Sequence, residues 1–194
     1  MSTLHHWFRS GDHSLLAHLD LPESIHGDCA LLMVPPFGWE DVCSYRPLRL
    51  LSRMFASHGI PAMRFDLPGT GDSSGDARDP DLFDAWVSSV GDAAKELRAS
   101  AGVTKVGVMG VRMGAMVALA AANRGANIQD LILWSLAASG RAVVRELYAF
   151  SKLARAEYSN GAPSPPPPLA GLEAGGLLLT PEISAHWILW IYPC

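Results

Sequence analysis

A chain of 194 residues, 49% hydrophobic and 18% charged, is long enough to bury a real core and too apolar to remain disordered. Its formal charge of −4 offers no basic field for a nucleic-acid backbone, so no DNA or RNA partner is expected. Cys29, Cys43 and Cys194 lack C-x-x-C spacing, which supports neither a disulfide framework nor a zinc site and leaves a reduced, cytoplasmic protein as the simplest expectation.

The opening M-S-T-L-H-H-W-F-R-S has no basic segment followed by an apolar one, so no signal peptide is visible. Leu4 to Arg9 and Ser14 to Leu21 read as two strands joined by the turn Ser10-Gly11-Asp12. Cys29 to Pro35 is a continuous apolar run of the kind buried in a parallel sheet. The spacing of Leu48, Leu51, Met54 and Phe55 predicts a helix from Tyr45 to His58, stopped by Gly59. Pro61 to Asp66 is the next strand, and Leu67 to Asp81, crowded with Gly, Pro, Asp and Ser, is a loop.

Leu82 to Ser100 repeats apolar residues at helical intervals, with Asp81 placed to cap it. A strand at Lys105 to Met109, an Ala-rich helix from Met113 to Arg124 and a strand at Leu131 to Ser135 follow. Strands alternating with helices imply a mostly parallel sheet covered on both faces, hence an α/β three-layer sandwich. Four regions result: a core at 1–139, a lid-like helix at 140–158, a Pro-rich linker at 159–168 and an atypical tail at 169–194. The longest apolar stretches, Met113 to Asn123 and Ile183 to Cys194, fall short of the roughly 20 residues that a membrane span needs.

The segment Lys105 to Gly114, K-V-G-V-M-G-V-R-M-G, carries the most chemistry. It reads as a strand running into a nucleophile elbow, G-x-S-x-G, in which Gly110 and Gly114 keep the bend and Arg112 stands where the serine belongs. A guanidinium stays protonated at physiological pH and has no attacking oxygen. Ordinary serine hydrolysis is therefore not expected.

Together with V-P-P-F-G (Val34 to Gly38), F-D-L-P-G-T-G-D-S-S-G (Phe65 to Gly75) and L-W-S-L-A-A-S-G-R (Leu133 to Arg141), this segment resembles the α/β-hydrolase superfamily. Within it the chain is similar to serine-aminopeptidase-like hydrolases, S33-type, and to an exosortase-associated branch with arginine at the nucleophile position. The resemblance implies an α/β-hydrolase fold acting on an ester, amide or related acyl bond. It implies oxyanion-hole amides from Phe37 and Met113, beside the positive end of the helix that starts at Met113. It also implies an acid after a later strand and a histidine after the last one. Only His186 comes late enough, in H-W-I-L-W-I, which does not match the family's histidine loop, so a fold truncated at its C-terminal side is expected.

Arg112 has two readings. It binds a carboxylate or phosphate of a small anionic ligand, or it forms a salt bridge with Glu40 or Asp41. The whole chain is accordingly an inactive or non-standard hydrolase, a pseudo-hydrolase that binds an anion at Phe37, Arg112 and Met113, or a fragment of a longer hydrolase.

Other residues carry less. Gly69, Gly71 and Gly75 miss the G-x-G-x-x-G spacing, as do Gly107, Gly110 and Gly114, so no dinucleotide cofactor is expected. Ser73 and Ser74 are turn residues, Ser135 caps a strand end, and Trp134 packs under the helix that follows. His5 and His6 point to opposite faces of a strand and cannot share a metal. An open sheet edge, finally, offers a surface through which an oligomer would form.

Overall fold

The computed structural model describes residues 1–158, 172–174 and 177–181. Six strands form one sheet in the order β1-β2-β4-β3-β5-β6: β1 (Ser2–Ser10), β2 (His13–Leu21), β3 (Cys29–Val34), β4 (Ala62–Phe65), β5 (Lys105–Val111) and β6 (Asp130–Trp134). Antiparallel β1-β2 and β2-β4 pairs flank parallel β4-β3, β3-β5 and β5-β6 pairs, so the sheet is mixed: the strands that alternate with helices pair in parallel, as expected of a mostly parallel sheet, and the N-terminal hairpin adds an antiparallel end. The hairpin turn at Gly11-Asp12 accounts for the antiparallel end, because a two-residue connection can only reverse the chain.

Each central strand buries both faces. On β3, Leu32 and Val34 join Val106 and Val108 of β5 in a large core under α2 (Leu82–Ala101) and α3 (Met113–Asn123). Leu31 and Met33, with Met109, face the other way, toward Leu48 of α1 (Trp39–Ser57). The three layers are thus helix, sheet and helix. The small residues of α3 let it lie close on the sheet, while α2 contributes a fully buried Trp86 whose indole N–H donates to the Pro68 carbonyl at 2.8 Å. α4 (Gly140–Tyr158) buries Val143 and Val144 in the larger core. A short antiparallel pair, β7 (Leu172–Ala174) and β8 (Leu177–Leu179), forms a separate sheet where the sequence shows no clear period.

Three local expectations differ from the structure. α1 begins at Trp39 rather than Tyr45, because the left-handed Gly38 (φ 62°) lets the helix start directly after the β3 loop, and Pro47 is carried inside it. Asp81 makes no side-chain capping bond to α2; the turns ahead of that helix use Asp76 and Asp79 instead. The sheet is not covered evenly. On the α1 side β6 leaves Ile132 and Trp134 in solvent, Trp134 at 57% exposure, so Trp134 does not pack under the following helix. With Pro47, Leu50, Leu51, Met54 and Val111 it lines an open apolar groove of about 540 Å³. The physical reason is strand alternation: Leu131 and Leu133 turn to the covered face, and nothing among the described residues covers the other beyond α1.

Candidate functional site

Parallel pairing brings the carboxyl ends of β3, β5 and β6 to one edge, since Val34 lies opposite Gly110 and Val111 opposite Trp134. That edge is where open α/β sheets bind ligands. Arg112 sits at the bend between β5 and α3 with φ 54° and ψ −114°, a conformation that costs a non-glycine residue on the order of 1–3 kcal/mol. Its N–H donates to the Trp134 carbonyl at 2.9 Å, and its own carbonyl accepts from Ala115 at 3.1 Å. The flanking glycines are required by contact. A Cβ on Gly114 would run into the carbonyl oxygens of Val34 and Pro35, and one on Gly110 into the backbone of Ala115. The elbow therefore rests directly on the loop that contains Phe37, whose buried ring stands edge-on to Trp86 with centroids 4.5 Å apart. Met113, the first residue of α3, is buried in the same core cluster.

The Arg112 guanidinium lies between two helices. Its Nε donates to Glu40 of α1 at 2.9 Å, and a terminal nitrogen donates to Glu146 of α4. Partial burial works against the charge, but the hydrogen bonds to Glu146 and Glu40 outweigh it and push the guanidinium further up from its ordinary range. Of the two acids that the sequence offers as partners, only Glu40 meets Arg112. Asp41, one residue on and about 100° around the helix, turns inward instead.

Asp41 borders a cavity of about 20 Å³, room for one water, together with Pro35, Tyr45, Arg64 and Asp66. Burial, followed by the charge of Asp66, pushes its carboxyl up to about 6. Arg64 stacks over the Tyr45 ring at 5.5 Å, and its buried Nε has no hydrogen-bond partner among the described residues. Asp66 ties down the glycine-rich loop: its carboxylate accepts from the Asp72 amide at 3.0 Å and its carbonyl from Ser73 Oγ at 2.7 Å. Ser73 and Ser74 reach further than their own turn, accepting from the Leu16 and Ser14 amides of β2.

The remaining expected residues fall apart in space. His5 Nδ1 meets His18 Nδ1 at 2.6 Å, whereas His6 leaves on the opposite face to Glu96 at 3.0 Å. Burial, and then Arg64, holds the His18 imidazole below its usual range. Ser135 is exposed at φ 55°, the second strained non-glycine residue at this edge. No group of three metal-binding side chains is found among the described residues, and none of their helices is long and apolar enough to cross a membrane. His186, Trp187, Trp190 and the Pro-rich segment 159–168 lie outside the described residues. Glu146 is the site residue that sequence reasoning misses, for a helix-surface glutamate has no local signature.

A sharp strand-to-helix elbow seated on the loop after β3 is the geometry of an α/β-hydrolase, and the serine aminopeptidase S33 profile matches residues 44–168. The chain belongs to the serine aminopeptidase S33 family. Solved structures share the fold. A hypothetical protein, PA2218, from Pseudomonas aeruginosa is 18% identical over 99% of this chain and 72% of its own, with a TM-score of 0.65. The ferulic-acid-bound Est1E from Butyrivibrio proteoclasticus is 21% identical over 93% and 69%, TM-score 0.62. An α/β serine hydrolase without lid from Xanthomonas campestris is 21% identical over 63% and 56%, TM-score 0.54. The chain thus spans a little over half the length of that hydrolase. No curated protein matches it.

Proposed function

We propose that this S33-family chain binds a small carboxylate or phosphate at its elbow and does not turn over an ester or amide through a serine there. Arg112 is the anchor, and the amides of Phe37 and Met113, with the positive end of α3, complete the anion site. The observation that carries the reading is the Glu146 carboxylate, which already rests on the Arg112 guanidinium at the mouth of the sheet. A group that recruits one carboxylate in this position is built to recognise another, because a guanidinium fork matches carboxylate and phosphate alike.

Loss of one member of a serine triad removes on the order of 10⁴ to 10⁶ in turnover, so an elbow without its serine leaves essentially no hydrolysis of this type. Two measurements test the proposal. A fluorophosphonate probe is expected to label no residue, and a labelled serine would overturn the non-hydrolytic half. Acetate and inorganic phosphate are expected to raise the melting temperature of the chain but not that of Arg112→Ala. The absence of any anion-dependent shift would overturn the binding half.

A second reading rests on length. Because the chain spans between 54% and 72% of the solved structures it resembles, it corresponds to part of a larger hydrolase, whose remaining elements would supply the acid and histidine. Co-expression with a complementing segment would then restore probe labelling in Arg112→Ser.

A further inference from the structure

Arg112 is engaged twice, and the two partners come from different helices. Glu40 is the second residue of α1, whose start is fixed by Gly38 and by amide bonds from Asp41 and Val42 to the Gly38 carbonyl. α1 is further tied to the sheet through buried Leu48 and Ala56 and through Ser52, which donates to the buried Asp20 at 2.6 Å. Glu146 instead sits on α4, one turn beyond Val143. That helix is reached from β6 through Ser135, a residue held at φ 55°; Ser139, which accepts from Ala142 and Val143, and the burial of Val143 and Val144 hold its start, but among the described residues it packs less on the six-stranded sheet than α1, which lies on β2, β3 and β4. The outer face of α4 leaves Tyr148 and Leu153 in solvent.

Charge arithmetic decides what an arriving anion does. One guanidinium and two carboxylates carry a net −1. Adding a monoanion would raise this to −2 in a partly buried place, whereas exchanging it for one carboxylate leaves the sum unchanged. Exchange is therefore the favoured route, and the partner on the less anchored element is the one that leaves.

From this geometry we infer that Glu146 is a built-in competitor for the anion site: its carboxylate holds Arg112 while α4 is seated, and a small carboxylate or phosphate displaces it and releases α4. The inference rests on the anion-site reading and adds its regulation. Anion binding and α4 seating become mutually exclusive, and by linkage anything that pins α4 weakens the anion to the same degree.

The test uses the full chain, acetate as probe, and the guanidinium Nε–H resonance of Arg112 as the reporter of binding. Exposed ion pairs are worth little, so Glu146→Gln is expected to tighten acetate about two- to fivefold. Hydrogen exchange of amides 142–151 is expected to speed up when acetate saturates the native chain, and to be fast in Glu146→Gln before any acetate is added. Two results overturn the competitor in different ways. If native chain and Glu146→Gln bind acetate equally and α4 exchange never changes, the anion site stands and the competitor falls. If acetate binds neither, the site itself is refuted and the competitor falls with it.

Discussion

Asp41→Asn is expected to stabilise the protein at pH 8 and to leave it unchanged at pH 4. In the folded chain the Asp41 carboxyl is pushed from 3.8 to about 6, by burial first and by Asp66 second. The folded state therefore holds a proton that the unfolded chain has released between those two values. Stability falls as pH rises through that window and is flat above it. A shift of about two units corresponds to about 3 kcal/mol at most, and the partial contact of Asp41 with solvent reduces this to roughly 1–2 kcal/mol. The substitution also loses a negative charge from the first turn of α1, where it interacts favourably with the helix dipole by about 0.3–1 kcal/mol. The desolvation effect wins, leaving a net gain of about 1 kcal/mol, which for a chain of this size is a rise of about 2–4 °C in melting temperature. His18 titrates in a neighbouring window with the opposite sign, since burial keeps its neutral form and stability drops as pH falls below 6.5. Both proteins share that slope, so the difference between their thermal scans isolates Asp41. A gain that persists at pH 4, or a less stable variant at pH 8, would refute the reasoning.

Gly114→Ala should destabilise by about 1–3 kcal/mol or prevent soluble expression, because its methyl meets the Val34 and Pro35 carbonyls, and denaturant unfolding reads the loss. Ser52→Ala removes one of the donors to the fully buried Asp20 carboxylate and is expected to cost about 1–3 kcal/mol in the same assay; a cost near zero would mean that another donor takes its place. Trp134→Gln combined with Leu50→Gln should change stability by no more than about 0.5 kcal/mol while raising the concentration at which the chain sediments as a monomer, since both residues lie open in the α1–β6 groove.

The elbow was legible in the sequence for a reason that the coordinates make concrete. Gly110 is demanded by the backbone of Ala115 a few residues on, and Gly114 by Val34 and Pro35 across the β3–β5 pair, so the short G-x-x-x-G spacing records both contacts although only the first is local. The same holds for the hairpin at Gly11 and for the doubly buried run of β3. What the sequence hides is orientation around a helix and coverage of a face. Glu40 and Asp41 are adjacent acids of equal promise, yet one reaches Arg112 and the other the Asp66 cavity, and only the starting point of α1 at Trp39 decides which. Alternation in Asp130–Trp134 marks a strand without saying that its Trp134 side would lie open, because that depends on which helices cross back.

Glu146 is the sharper case. It lies 34 positions from Arg112 on a helix whose apolar residues announce only a buried face. Its importance comes from a charge that must be matched at the elbow. A permanently cationic residue held at this bend, under partial burial, requires carboxylates nearby to hold it. Replacing Arg112 by serine alone would therefore leave Glu40 and Glu146 facing each other without their shared cation. That variant is expected to show faster hydrogen exchange in α4 and no esterase activity, and a hydrolytic Arg112→Ser with α4 still protected would contradict the view that this elbow depends on its charge.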